Sequence, residues 1–157
     1  MDTKQKSPAT ETAMLIRKPV SEVFNAFIDP EITTKFWFTK STGKLEKGKK
    51  IEWVWEMYDF TSYVEVIDIL PNKKIEIEWR GKDGPATRVE WTFTSHGHYT
   101  FVNIVNDGFE GDQEDIIKQV NGSTGGFTWV LAGLKAYLEH NILMNYIKDR
   151  FPGGKPE

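Results

Sequence analysis

The side chains able to do acid, base, nucleophilic or metal chemistry are few here, and their spacing narrows what the chain can do. Of the three histidines, only His96 and His98 are close, on either side of Gly97. Residues two apart on a strand share a face, as a chelating pair requires. The pair falls in a Ser-His-Gly-His hairpin turn without a cysteine or an obvious carboxylate partner, so it reads as exposed turn residues and no metal site is expected. His140 ends a helical stretch, where its charge suits the negative end of the helix dipole. With no cysteine, disulfides, thiol catalysis and thiolate metal sites are excluded. A serine nucleophile needs a base and an oxyanion hole, and no Gly-x-Ser-x-Gly elbow occurs. Gly122-Ser123-Thr124-Gly125-Gly126 lacks the lysine and spacing of a phosphate loop and reads as a flexible helix entry or kink. Glu52, Glu56, Glu76, Glu78 and Glu90 take the outward phase of their strands, a solvated face rather than an acid-base pair. No cofactor is expected.

The totals point the same way. A chain of 157 residues, 39% hydrophobic and 13% aromatic, suits one domain with a substantial core. A net charge of -3 supplies no basic field for nucleic acid or an anionic membrane. The N-terminus MDTKQKSPATE lacks the apolar run of a signal peptide, and no stretch approaches the roughly 18 apolar residues of a membrane span. The expectation is a soluble cytoplasmic protein, with a flexible tail over 1–11, a single domain over 12–151 and a flexible end over 152–157.

What positions the remaining chemistry is a long helix and a sheet. Phe127, Val130, Leu131, Leu134, Tyr137 and Leu138 recur at three-and-four spacing, and Ile116, Ile117 and Val120 continue the stripe. The pattern predicts one helix from about Gln113 to His140, capped by Asp112 and bent or broken at Gly125-Gly126. Upstream, Thr12 to Lys18 reads as a strand stopped by Pro19, Val20 to Phe27 as a helix ended by Asp29-Pro30, and Pro30 onward as a shorter helix. From Ile51 the period becomes two: Ile51, Trp53, Trp55 and Met57 alternate with polar neighbours. Phe60 to Leu70, Ile75 to Arg80, Val89 to Phe93 and Tyr99 to Asn106 continue an antiparallel meander joined by hairpin turns. Strand, two helices, meander and long helix make an α+β design.

That order, with VSEVFNAFIDPE, Phe36-Trp37, WVWEM, VIDILPNKKIEIEW and GFTWVLAGLKAYLEH, resembles the activator of heat-shock-protein ATPase homologue-like branch of the SRPBCC, or START and Bet v-like, superfamily. The resemblance covers roughly Thr12 to His140. It implies the helix-grip fold: a curved antiparallel sheet of six or seven strands wrapped around a long C-terminal helix, enclosing an apolar cavity. Members bind lipids, steroids, polyketides and related molecules, and some are cyclases or hydrolases. The eukaryotic cochaperone that gives the branch its name carries a further N-terminal domain, which is not expected within these 157 residues.

Function is therefore sought on the inward phase. Trp53, Trp55, Met57, Trp79, Trp91 and Phe93 from the sheet face Phe127, Val130, Leu131 and Leu134 from the helix, a lining suited to a flat or elongated apolar ligand. Tyr63, Asn106 and the indole N–H groups are the candidate polar handles, with bonding to neighbouring backbone as the equal alternative for each. The competing reading is that these rings simply fill the core. The expected function is binding of an apolar or amphipathic small molecule, with a cyclase or hydrolase in the same cavity, or a cochaperone-type interaction module, as alternatives. Ile142, Leu143, Tyr146, Ile147 and Phe151 predict a short helical extension covering apolar surface, on its own domain or across a homodimer.

Overall fold

Residues 7–154 are described by a computed structural model. Seven strands pair in one antiparallel sheet of order β1-β7-β6-β5-β4-β3-β2. They are β1 (Thr10–Ile16), β2 (Lys40–Ser41), β3 (Lys50–Trp55), β4 (Phe60–Leu70), β5 (Lys74–Arg80), β6 (Thr87–His96) and β7 (Tyr99–Asp107). Period-two burial holds along the sheet: Ile51, Trp53 and Trp55 are buried and Glu52 is exposed, as a sheet with one wet face requires. Asn72 (φ 61°) and Gly97 (φ 67°) take the left-handed conformations of the β4–β5 and β6–β7 turns. A register shift between Val66 and Asp68 bulges β4, a device that increases twist and bends a strand.

Two short helices fill one end of the concave face. α1 (Val20–Ile28) follows Pro19 and buries Val23, Phe24, Ala26 and Phe27. Pro30 opens α2 (Pro30–Thr33), where the Asp29 carboxylate accepts from the Glu31 N–H at 3.0 Å. The buried Thr33 hydroxyl donates to Ala26 O at 2.6 Å, which ties the two helices together and directs Phe36, Trp37 and Phe38 into the core.

α3 (Gln113–His140) has 28 residues, about 42 Å at 1.5 Å per residue. Asp112 caps it, accepting from the Asp115 N–H at 2.9 Å, and Asn141 ends it in the left-handed conformation. A row of hydrogen bonds docks it along β1. Thr10 Oγ1 donates to Val120 O at 3.1 Å, Thr12 and Thr128 share a bond of 2.9 Å, and Lys135 Nζ donates to Leu15 O at 2.9 Å. Beyond the strand, Glu139 accepts from the Arg17 N–H at 2.9 Å. The helix turns Phe127, Val130, Leu131 and Leu134 inward, all buried.

Three expectations are corrected. α3 is continuous through Gly125-Gly126. Its apolar stripe does not run the full length, because Ile117 is 49% exposed. Met57 does not continue the inward phase of β3: Trp55 pairs directly with Phe60, so Glu56–Tyr58 must form a 3₁₀ turn, with Asp59 left-handed, to reverse the chain. The tail folds back on its own domain. Asn145, also left-handed, starts α4 (Tyr146–Arg150), Tyr146 lies 5.1 Å from the Trp129 ring, and the Tyr58 hydroxyl donates to Ile147 O. Ile142, Leu143 and Met144 remain exposed. Among the described residues no helix is long and apolar enough to cross a membrane.

Candidate functional site

A cavity of about 500 Å³ lies between the inner face of α3, the inward rings at the ends of β3 and β5, and α4. The strand period aims Trp55 and Trp79 into it, and the helical period brings Phe127 and Val130 from the other side. Trp37, delivered by the α1–α2 unit, closes the back: its ring is 5.9 Å from Trp79 and 5.7 Å from Phe127, which are themselves 5.6 Å apart. Phe60 and Gly122, both exposed, mark where the wall meets solvent.

The polar groups of the wall are largely committed to the protein. Asn106 donates from Nδ2 to Arg88 O at 2.7 Å and Thr87 Oγ1 at 3.1 Å, and its Oδ1 accepts from the Ser123 hydroxyl at 2.8 Å. Trp79 Nε1 donates to the same Thr87 hydroxyl at 3.0 Å. Burial raises the Tyr58 phenol above its ordinary value of 10.0, so at neutral pH it is protonated and donates to Ile147 O.

Arg150 is the exception. It is the only charged side chain in the wall among the described residues. Its Nη2 donates to Gly122 O at 3.2 Å, and its guanidinium lies 4.9 Å from the centre of the Phe151 ring. The glycines of α3 make this seat. A Cβ at Gly125 would stand 2.7 Å from Arg150 Nη2, and one at Gly126 would stand 3.0 Å from Nη1. The glycine pair thus makes room for the Arg150 guanidinium rather than a kink.

Of the residues expected to line a cavity, Trp55, Trp79, Asn106, Phe127 and Val130 are in the wall. Trp53, Trp91, Phe93, Leu131 and Leu134 are buried but lie outside it, in filled core. Trp53 stacks on Phe38 at 4.7 Å, Trp91 packs on Phe27 at 5.8 Å, and Phe93 on Phe24 at 5.3 Å. The Trp91 indole N–H is buried without a partner. Met57 borders a separate groove with Met144 and Tyr146. Tyr63 is on the outer face beneath Arg80, whose guanidinium is 5.4 Å from its ring, because Ser62, Val64 and Val66 take the inward phase of β4. Trp37, Tyr58, Ser123, Arg150 and Phe151 belong to the wall without having been expected there. The signals were the Phe-Trp-Phe run after α2 and the amphipathic tail. On the outer face Glu76, Glu90 and Asp107 surround Arg88, at 3.6, 3.0 and 3.1 Å, far from an acid-base arrangement. His96 and His98 are exposed at their turn.

Known proteins place this architecture. A protein from Staphylococcus saprophyticus, SSP2350, superposes with a TM-score of 0.75 at 29% identity, over 87% of this chain and 96% of its own. The Aha1 dimer of Colwellia psychrerythraea gives 0.73 at 16%, over 85% and 97%. DynU16, of the dynemicin biosynthetic locus, gives 0.73 at 18%, covering 86% of this chain and 48% of that one. No curated protein matches significantly. The sequence pattern described as "Activator of Hsp90 ATPase homolog 1-like protein" matches residues 17–139, a span from just after β1 to the end of α3, and the chain therefore belongs to that family.

Proposed function

We infer that this protein binds an apolar or amphipathic small molecule in the cavity between the sheet, α3 and α4. The observation that carries this is the cavity itself: about 500 Å³ walled by rings from the sheet, the helix and the α2–β2 connection, within the range of small-molecule pockets. Asn106, Ser123, Tyr58 and the Trp79 indole are already bonded within the protein, so the wall offers chiefly shape and apolar area. Tyr58 and Arg150 are the titratable groups of the wall among the described residues. That favours binding over a cyclase or hydrolase, which needs a positioned acid and base. One fold relative belongs to a biosynthetic locus, which is in keeping with a small-molecule ligand. A cytoplasmic setting accords with the cysteine-free sequence.

The test is titration with N-phenyl-1-naphthylamine, a neutral apolar fluorophore, while exciting the indoles. Energy transfer saturating at one molecule per chain, together with an adduct in native mass spectra of the purified protein, is expected. No saturable signal would leave the interaction-module reading. That second reading rests on the exposed Ile142-Leu143-Met144 segment and on the dimer formed by the Colwellia relative; sedimentation at micromolar concentration distinguishes monomer from homodimer, and a chaperone partner would have to engage the same segment.

A further inference from the structure

We propose that Arg150 makes the cavity a receptor for amphipathic anions: an apolar body lying among Trp37, Trp79 and Phe127, with a carboxylate or phosphate head on the guanidinium. The proposal rests on the small-molecule reading above and adds the charge of the ligand.

Three observations converge. The guanidinium borders a cavity whose other wall residues are neutral, and no carboxylate of the described residues forms an ion pair with it. An arginine carries five N–H donors in a planar fork suited to oxyanions, and among the described residues one bond is formed, to Gly122 O. The fork is also held in place. Phe151 lies against one side, and Gly125 and Gly126 open a notch in α3 that any side chain would close. A cation fixed beside a largely apolar space is costly to desolvate unless an anion meets it. Of the other polar groups, Asn106, Ser123 and Trp79 bond one another or Thr87 and Arg88, Tyr58 donates to Ile147 O, and the Trp37 and Trp55 indole N–H groups are neutral donors that supply no countercharge. Orientation follows: the head sits at the α4 end of the cavity, and the apolar body extends toward Trp55 and Val130.

The experiment displaces bound N-phenyl-1-naphthylamine with three competitors of one chain length: dodecan-1-ol, dodecanoate and dodecyl phosphate. Wild-type protein should release the probe at tenfold or more lower concentration of at least one anion than of the alcohol, with the gap narrowing as salt rises. The stronger anion identifies the head. In Arg150→Gln the gap, read as the ratio of the anion and alcohol concentrations that release the probe from that same variant, should close to within about threefold, and Arg150→Lys should keep part of it, since a point charge lacks the bidentate fork. If the wild-type protein ranks the alcohol with both anions, or the gap survives Arg150→Gln, the proposal is overturned although the cavity reading stands. If Arg150→Gln loses the neutral probe as well, Arg150 holds the wall together and does not read a head group, which also overturns it. If wild-type protein never binds the probe, the small-molecule reading falls first.

Discussion

Glu139 shows how single residues fasten α3 to the rest. Its side chain is only 8% exposed. Burial works against its charge, but the Arg17 N–H at 2.9 Å and the Lys135 ammonium at 2.7 Å outweigh it and hold its pKa below the ordinary 4.5. Because the folded value lies below the unfolded one, the ionised carboxylate stabilises the fold above the ordinary glutamate value, and the contribution is lost as pH falls through the folded value. Glu139→Gln should thus cost on the order of 1–2 kcal/mol near neutrality, as loss of charge-assisted hydrogen bonds does. Its acid-unfolding curve should converge on wild type below the ordinary glutamate value; curves that stay parallel down to the acid transition would rule this out. Leu134, fully buried, should cost about 2–5 kcal/mol on truncation to alanine in denaturant melts, and a loss under about 0.5 kcal/mol would mean the site is not packed. At this scale the sequence told inward from outward at Trp53, Trp55, Trp79 and Trp91, because alternation is a property of the strand itself. It did not tell wall from filled core. Whether Trp91 or Trp79 faces open space depends on where α1 brings Phe27 and where the chain after α2 brings Trp37, which no local period encodes. Tyr63 was misjudged more simply, since its phase on β4 points outward.

Among the elements, the pairing of α3 with α4 depends on two glycines. On helix propensity alone Gly125→Ala gains about 1 kcal/mol. Here the added Cβ would meet Arg150 Nη2 at 2.7 Å, so the guanidinium must swing aside and give up its bond to Gly122 O, and the stability gained should be smaller in the wild-type background than in an Arg150→Ala background. Thermal melts of the four proteins in that double-mutant cycle measure the coupling, and additive effects would show that the notch is not used. Truncation after Asn141 removes the Ile147 partner of Tyr58 and the Tyr146 partner of Trp129. It should lower the melting temperature and weaken probe binding without changing sedimentation; an unchanged melt would show that α4 is not packed on the domain. The ends of α3 were legible, the start because Asp112 is a capping residue whose chemistry is local and the end at His140 because the apolar period stops there. Its expected bend was not found, because glycine's low propensity is equally consistent with a kink and with a place where another element comes close. Only the fold back of α4 decides between them.

For the whole molecule, the open question is why the end of the sheet near Trp55 and Trp79 is hollow when the end near Trp91 and Phe93 is solid. The α1–α2 unit supplies Phe24 and Phe27 to the second region, whereas the first is covered by α4 and the residue after it, and Ile147 and Phe151 reach the cavity edge without filling it. A cavity of about 500 Å³ left open in a domain of this size forgoes packing that close-packed interiors normally have, and a ligand can restore it. Saturating the protein with an apolar anion at a hundredfold excess over its dissociation constant should stabilise it by about 2.7 kcal/mol through mass action. Val130→Phe separates a working cavity from a packing defect, because Val130 is buried yet borders the space. If the cavity is open in solution, the larger ring enters it, stability is retained within about 0.5 kcal/mol, and the ligand-induced shift disappears. If the space is closed in solution, the same ring overpacks the interior and costs about 1–3 kcal/mol. Melting curves of both proteins with and without dodecanoate separate the outcomes, and a Val130→Phe protein that is both destabilised and still shifted by the ligand would place binding outside this cavity.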